Sequence, residues 1–149
     1  RNELAQRLGA PLPAAKPFVF KGQGDAFGWF KQLDGLWYLG LFIETGRVKD
    51  AGDYKLKTAL RSIAEKFGPV FRLTATQNLI LSDIKEENKS AIEKILNDHG
   101  CSIVFNPGLI KGRGMACPAL PTCGLALAES ERIFPALLAK IENALELPP

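Results

Sequence analysis

The sequence is short of cysteine, of long apolar runs and of charge of one sign, and each shortage excludes a class of protein. Three cysteines in 149 residues are too few, and too odd in number, for a disulfide scaffold, which favours a reducing, cytoplasmic compartment. The longest apolar run, residues 36–43, has eight residues, whereas a membrane-spanning helix needs about 20. The 19 Lys and Arg only slightly outnumber the 16 Asp and Glu, which argues against a dedicated nucleic-acid binder but leaves room for an anionic ligand.

The chain has enough apolar material for one folded domain. With 46% hydrophobic and 23% charged residues, it is too apolar and too weakly charged to be disordered. Its first residues lack the charged-then-apolar pattern of a secretory signal. Because the chain also begins without Met, we expect a processed or excised piece of a longer protein.

After a proline-punctuated lead-in over residues 1–17, the pattern predicts a strand-like run at 18–20, a hairpin and a helix. Aromatic-rich runs at 28–33 and 36–43 flank Asp34 and Gly35, which indicates a tight turn with positive φ at both turn positions. An amphipathic helix is predicted over residues 53–67, with Asp53 as N-cap and Gly68 as the stop. Its apolar face consists of residues at helical spacing: Leu56, Leu60, Ile63 and Phe67.

Two short β runs, residues 70–73 and 78–81, precede a second predicted helix over residues 86–99. That helix is expected to bury Ile92, Ile95 and Leu96 and to end at Gly100, after which residues 101–105 return as a strand. The order of hairpin, helix, two strands, helix and strand predicts an α+β fold in which helices cover a sheet.

The character of the chain changes after residue 106. Prolines and glycines crowd residues 107–124, which predicts a loop. A last helix is expected over residues 126–145, with a kink at Pro135 and an apolar stripe that has no evident partner: Leu137, Leu138, Ile141 and Leu145. We therefore expect a lead-in over 1–17, one domain over 18–106, and the start of a second, incomplete domain over 107–149.

Two groups of residues on this framework could carry chemistry. Cys117 and Cys123 are separated by five residues on the predicted loop, a spacing that disfavours a zinc knuckle and leaves both metal ligation and ordinary burial open. Cys101 has no second cysteine nearby and is interpreted as a core residue. A polar cluster also separates the two short β runs: Arg72, Thr74, Gln77 and Asn78. From residue types alone, a strand-end turn that satisfies its own backbone explains this cluster as well as ligand binding does.

Four segments, in order, resemble sulfite reductase hemoproteins, which belong to a family of siroheme and 4Fe–4S enzymes that also includes nitrite reductases. They read GQGDAFGW at 22–29, LFIETGRVKD at 41–50, RLTATQNL at 72–79 and MACPALPTCGLALAESER at 115–132. The resemblance extends from about residue 17 to about residue 140 and is closer to the sulfite branch than to plant-type nitrite reductases. It implies a ferredoxin-like half-domain followed by the start of a siroheme- and cluster-binding domain.

The resemblance also implies which residues bind cofactors. Cys117 and Cys123 would be two of the four cluster ligands, and the downstream C-x-x-x-C pair that supplies the other two in this family is not in the sequence. The polar cluster Arg72, Thr74, Gln77 and Asn78 would contact siroheme, a macrocycle edged with carboxylates, with Ala116 and Arg113 as further candidates. Since two thiolates cannot hold a four-iron cluster, we expect a fragment that binds neither cofactor completely and is inactive alone.

The activity implied for the parent protein is reduction of sulfite to sulfide at siroheme iron, with electrons from a flavoprotein or ferredoxin passing through the cluster. No catalytic residue is assigned, because the residues that grip sulfite in this family lie outside the sequence. The expected partners are therefore sulfite, the electron donor and the remainder of the hemoprotein, without nucleic acid or membrane. Three alternatives stay open: a nitrite reductase of the same family, a non-enzymatic module in which Cys117 and Cys123 of two chains share a metal or cluster, and a degenerate relative without cofactor.

Overall fold

A four-stranded antiparallel sheet, covered on one face by two helices, organises the fold. The computed structural model describes residues 1–14, 16–19, 24–104, 106–108 and 110–145. In chain order, these residues form α1 (Asn2–Leu8), β1 (Gly28–Lys31), β2 (Trp37–Leu41), β3 (Asp50–Ala51), β4 (Tyr54–Lys55), α2 (Leu56–Phe67), β5 (Val70–Leu73), β6 (Leu79–Ile84), α3 (Lys89–Asp98) and α4 (Phe134–Leu145). Short 3₁₀ turns cover Glu44–Gly46 and Glu86–Asn88.

The sheet order is β1-β2-β6-β5, and its register sets the core. Trp29 pairs with Leu39, Leu39 with Leu81, and Leu81 with Phe71, so one row of side chains crosses the whole core-facing side of the sheet. The predicted apolar faces of α2 and α3 pack against it, and the most deeply buried side chains come from both layers: Leu39, Ile63, Leu81, Ile92 and Leu96. The predicted α+β layering is confirmed.

The predicted hairpin is confirmed, but its turn differs from the prediction. Gly35 has a φ of 90°, whereas Asp34 is not among the residues with positive φ. The Asp34 side chain instead accepts a hydrogen bond from the Leu36 N–H at 3.0 Å, and the Gln32 N–H donates to the Leu36 carbonyl at 2.7 Å. Because the Asp34 carboxylate closes the loop, only the glycine needs the left-handed conformation.

Helix α2 begins at Leu56, and the prediction of Asp53 as its N-cap is wrong. Asp53 lies in the reversal between β3 and β4, a two-stranded ribbon that the sequence pattern did not reveal. The ribbon places Asp50 over the helix start, where its carboxylate accepts hydrogen bonds from the Thr58 N–H at 3.1 Å and the Thr58 hydroxyl at 2.8 Å. Asp50 therefore caps the helix from eight residues before Thr58, because the tertiary structure brings the two residues together.

Two predicted strands do not form. Residues 101–104 are irregular, and Phe105 lies outside the described residues. Cys101 is buried and Ile103 packs against the core, whereas their neighbours are exposed. This strand-like alternation arises because the segment packs against the edge of the core without pairing with the sheet. Phe18 and Val19 are likewise irregular and more than three-quarters exposed, whereas Phe20 lies outside the described residues. Residues 2–8 of the lead-in do form the short helix α1.

The predicted loop is confirmed where it is described, but the last helix is shorter than predicted. Helix α4 begins at Phe134, so Pro135 lies in its first turn, where a missing N–H and a fixed φ favour helix initiation over a kink. Leu138 is buried, and a side-chain carbon added at Gly114 would lie 3.0 Å from it, so the stripe has a partner in the preceding loop. Leu137 and Leu145 remain exposed. Among the described residues, no helix has the length and apolarity needed to cross a membrane.

Candidate functional site

Three residues of the polar cluster, Thr74, Gln77 and Asn78, lie in a tight turn between β5 and β6, whereas Arg72 belongs to β5 itself. The Thr74 N–H donates to the Asn78 carbonyl at 3.0 Å, and the Asn78 N–H donates to the Thr74 hydroxyl at 3.1 Å. Gln77 takes the left-handed conformation with a φ of 65°, which is uncommon for a non-glycine residue. The turn therefore satisfies much of its own backbone, and it presents its side chains to other segments.

One of those segments carries Asp25, a residue that sequence reasoning did not single out. Its Oδ2 accepts hydrogen bonds from the Thr74 hydroxyl at 2.7 Å, the Asn78 amide at 2.8 Å and the Thr76 hydroxyl. Burial alone would raise the pKa of Asp25, but these three donors outweigh it and hold the pKa below its ordinary value. Asp25 is thus an ionised anchor for the turn. No local pattern links it to a turn about 50 residues away.

Asn78 is only 3% exposed, and its amide is occupied on both sides. Its Oδ1 accepts the Ile43 N–H at 2.9 Å, while its Nδ2 donates to Asp25 and to the Thr76 carbonyl at 3.2 Å. Because Ile43 is also buried, the amide side chain replaces the hydrogen bonds that water would otherwise supply. Asn78 consequently joins the turn to the chain that leaves β2.

Gln77 joins the same turn to the cysteine loop. Its Nε2 donates to the Ala116 carbonyl at 3.0 Å, and its Oε1 accepts the Ala116 N–H at 3.3 Å. Ala116 is buried and directly precedes Cys117. The structure thus brings together two sequence-predicted groups that are 39 residues apart, and a two-point amide contact sets their relative position.

The two loop cysteines are free thiols, with Cys117 exposed and Cys123 partly exposed. Backbone hydrogen bonds bend the loop between them: the Ala119 N–H donates to the Cys117 carbonyl and the Cys123 N–H to the Ala119 carbonyl, both at 2.8 Å. Cys101 is buried, and its thiol donates to the His99 carbonyl at 3.3 Å. In the described ranges, no group of three or more His, Cys, Asp or Glu could hold a metal. The loop therefore offers two cysteine sulfurs as a partial donor set.

Arg72 lies on the other side of the sheet from the core. Its neighbour Phe71 pairs with the fully buried Leu81, and successive side chains of a strand point to opposite faces. The exposed Arg72 donates from Nε to the Ser82 hydroxyl at 3.1 Å. Such a guanidinium can bind a carboxylate bidentately.

A cleft of about 380 Å³ lies where the β5–β6 turn, the turn at Glu44–Gly46 and the cysteine loop meet. Its lining includes Thr74, Gln77 and Asn78 together with Pro118, the residue after Cys117. Arg47 and Glu131 also line it and form an ion pair that sequence reasoning missed. The only signal for that pair was the presence of both residues in the segments that resemble known family members.

Comparisons with known proteins agree with this framework. A family model described as the nitrite/sulfite reductase ferredoxin-like half domain matches residues 30–99. The chain is 47% identical over 146 residues to the sulfite reductase (NADPH) hemoprotein beta-component of Staphylococcus saprophyticus, and 42% identical to that of Bacillus subtilis. Both alignments cover 98% of this chain and 26% of the relative, so the chain spans about a quarter of the length of the curated relatives it matches.

A solved structure agrees as well. The NirA protein of Mycobacterium tuberculosis superposes with a TM-score of 0.64 at 27% identity, covering 98% of this chain and 26% of that one. The resemblance read from four short segments is therefore confirmed over almost the whole chain. Residues 30–99 match the ferredoxin-like half domain of the nitrite and sulfite reductase family, and almost the whole chain is similar to proteins of that family.

Proposed function

We propose that this chain supplies one ferredoxin-like half-domain and part of the cofactor-binding loop of a sulfite reductase hemoprotein, which reduces sulfite to sulfide. The observation that carries the proposal is the double hydrogen bond between the Gln77 amide and Ala116, because it attaches the half-domain directly to the residue before Cys117. The names of the curated relatives support sulfite as the substrate. The proposed boundaries at residues 18 and 106 enclose the matched range 30–99.

The thiols of Cys117 and Cys123 fit two ligand positions of an iron–sulfur cluster. Both are free and accessible on one bent loop, and thiolates are the ligands that such clusters use. Cys101 cannot join them, because its thiol is buried in the core and donates to the His99 carbonyl. Further ligands would have to come from other residues, in keeping with the incomplete donor set of the described chain. When bound, the cluster would pass electrons to siroheme.

The polar turn fits one edge of siroheme in two different ways. The exposed Arg72 guanidinium suits direct contact with a carboxylate of the macrocycle. Thr74, Gln77 and Asn78 are already hydrogen-bonded to Asp25, Ala116 and Ile43, so their role is to hold the rim of the cleft in place. Ala116 contributes through its backbone, which the Gln77 amide fixes.

The electron donor we propose is an NADPH-dependent flavoprotein subunit. The relatives are named as NADPH enzymes and as beta-components, which implies a second component that handles NADPH. The three free thiols agree with a reducing, cytoplasmic compartment.

The test uses the protein expressed from the full reading frame that contains this chain, with Cys117→Ser and Cys123→Ser as variants and Cys101→Ala as the matched control. Iron content, the electron paramagnetic resonance signal of the reduced protein, and sulfite and nitrite reduction with a dye donor are measured. Each loop variant should lose cluster iron and activity, while Cys101→Ala retains both. Unchanged iron in both loop variants would overturn the ligand assignment, and a higher kcat/KM for nitrite than for sulfite would overturn the substrate. A metal-dependent dimer lost in Cys117→Ser would favour the non-enzymatic module.

A further inference from the structure

A buried carboxylate ties the segment after the cysteines to the half-domain. Glu131 is only 5% exposed, and Arg47, 84 residues earlier, donates from Nε and Nη2 to its two carboxylate oxygens. The Thr45 hydroxyl donates to the Glu44 carbonyl at 2.7 Å and lies 3.3 Å from Glu131 Oε1, so it makes a second, longer polar contact with the carboxylate. A bidentate Arg–carboxylate pair fixes both distance and orientation, and a buried carboxylate left without its partner is strongly unfavourable. We call Thr45, Arg47 and Glu131 the Glu131 clamp.

The backbone on the half-domain side of the clamp is strained. Thr45 is β-branched, yet it has a φ of 55° and a ψ of 19°, a left-handed conformation that such residues rarely adopt. Strain of this kind persists only where the surroundings enforce it, and it gathers at functional sites. Here it leaves the Thr45 hydroxyl 3.3 Å from Glu131 Oε1 and brings Gly46 against Gln77, where an added side-chain carbon would lie 2.9 Å from the Gln77 Cβ. The turn at Glu44–Gly46 therefore lies against Glu131 and Gln77, the two residues that connect the half-domain to the cysteine loop.

On the loop side, the clamp continues to the peptide between the two cysteines. Arg132, next to Glu131, donates from Nη1 to the Leu120 carbonyl at 2.6 Å. Leu120 lies between Cys117 and Cys123. The loop is thus held at its start through Gln77 and Ala116, and at its middle through Arg132, the neighbour of Glu131.

We infer that Arg47 and Thr45 are positioning residues: acting through Glu131, they hold residues 117–123 so that the thiols of Cys117 and Cys123 keep one fixed arrangement. The role of Cys117 and Cys123 as cluster ligands rests on the proposed function, whereas the ordering of the loop does not. Neither Arg47 nor Thr45 touches a cysteine in the described hydrogen-bond network, so both act at a distance.

The first experiment measures amide hydrogen exchange in the reduced 149-residue chain, with Glu131→Gln as the variant. Asp98→Asn is the matched control, since Asp98 pairs with Lys94 on the surface of α3. We expect exchange to accelerate about tenfold in Glu131→Gln at the hydrogen-bonded amides of Ala119, Thr122 and Cys123, and to stay unchanged in β2 and β6. Unchanged exchange in the loop, or equal acceleration throughout the sheet, would overturn the inference.

The second experiment reads the same effect in the full-length, cofactor-loaded protein. Arg47→Lys keeps the positive charge but loses the bidentate fork, so it should shift the midpoint potential and the resonance signal of the cluster, as Glu131→Gln does. Asp98→Asn should leave both unchanged, and unaltered spectra in both clamp variants would overturn a role at the cluster. If Cys117→Ser retains the cluster while loop exchange still responds to Glu131→Gln, the proposed function fails and the clamp stands. If Cys117→Ser loses the cluster while loop exchange does not respond to Glu131→Gln, only the clamp is rejected.

Discussion

Replacing Asn78 by Ala should destabilise the chain by about 3 kcal/mol. The substitution leaves the buried Ile43 N–H, now 2.9 Å from Asn78 Oδ1, without a partner, which costs about 1–3 kcal/mol. It also removes the amide that donates to Asp25 at 2.8 Å. Because Asp25 keeps its two threonine donors, this second loss adds only about 1 kcal/mol. The total is a large fraction of the stability of an ordinary domain.

Equilibrium unfolding in urea, followed by tryptophan fluorescence, measures this change. With a slope of about 1–3 kcal/mol per M, a loss of about 3 kcal/mol lowers the midpoint by about 1–3 M. Asn97→Ala is the control, since Asn97 lies on the exposed side of α3 and its truncation should change stability by less than about 0.5 kcal/mol. A loss below about 1 kcal/mol for Asn78→Ala would refute the reasoning, because the Asn78 amide would then not be what satisfies the Ile43 N–H.

Three further predictions use the same unfolding assay. Gly40→Ala should cost about 3 kcal/mol, since the new methyl group would clash with the Ala26 carbonyl oxygen; an unchanged midpoint would contradict that packing. Lys89→Met should cost about 1 kcal/mol by removing an ammonium 3.5 Å from the Trp37 ring centre, and no loss would mean that this contact contributes nothing. The Arg47 hydrogen bonds lower the pKa of Glu131 below its ordinary 4.5, so the pair stabilises the fold above about pH 4.5 and is lost as pH falls through the depressed value. The stability difference between wild type and Glu131→Gln should therefore be full at about pH 7 and shrink as the pH falls below about 4.5, and a constant difference across that range would count against the ion pair.

Much of the fold could be predicted because it depends on local periodicity. The helical spacing of Leu56, Leu60 and Ile63 and the paired runs around Gly35 each identify an element from a few neighbouring residues. Errors arose where a residue's role depends on distant partners. Asp53 has the right residue type for a helix cap, but Asp50 performs that function because a ribbon folds it over Thr58.

The ends of the last helix show the same limit. Pro135 follows nine residues, 126–134, that could form a helix, so the pattern predicted a kink within a longer helix. The chain at 126–130 is instead irregular and is followed by a turn at 131–133, where the buried Glu131 meets Arg47. A tertiary ion pair thus overrides local helix propensity and moves the helix start to Phe134.

The residues of the candidate site also differ in whether the sequence alone could identify them. Cys117, Cys123 and the turn residues Gln77 and Asn78 stood out because their types and order resemble those of a known family. What each turn residue contacts was open, and the structure shows that both amides are occupied by protein groups. Asp25 was not predicted to belong to the site, because an acidic residue near glycines does not indicate which turn it will contact.

The sequence by itself determined the family, the α+β layering, the core faces of two helices and the pair of loop cysteines, because these depend on local spacing and on residue identity. Only the tertiary structure decided that the polar turn and the cysteine loop meet through Gln77 and Ala116, and that Arg47 holds Glu131 across 84 residues. The physical reason is that directional hydrogen bonds and buried ion pairs need partners placed within about 3 Å. That placement follows only when the sheet, its turns and the loop have packed together.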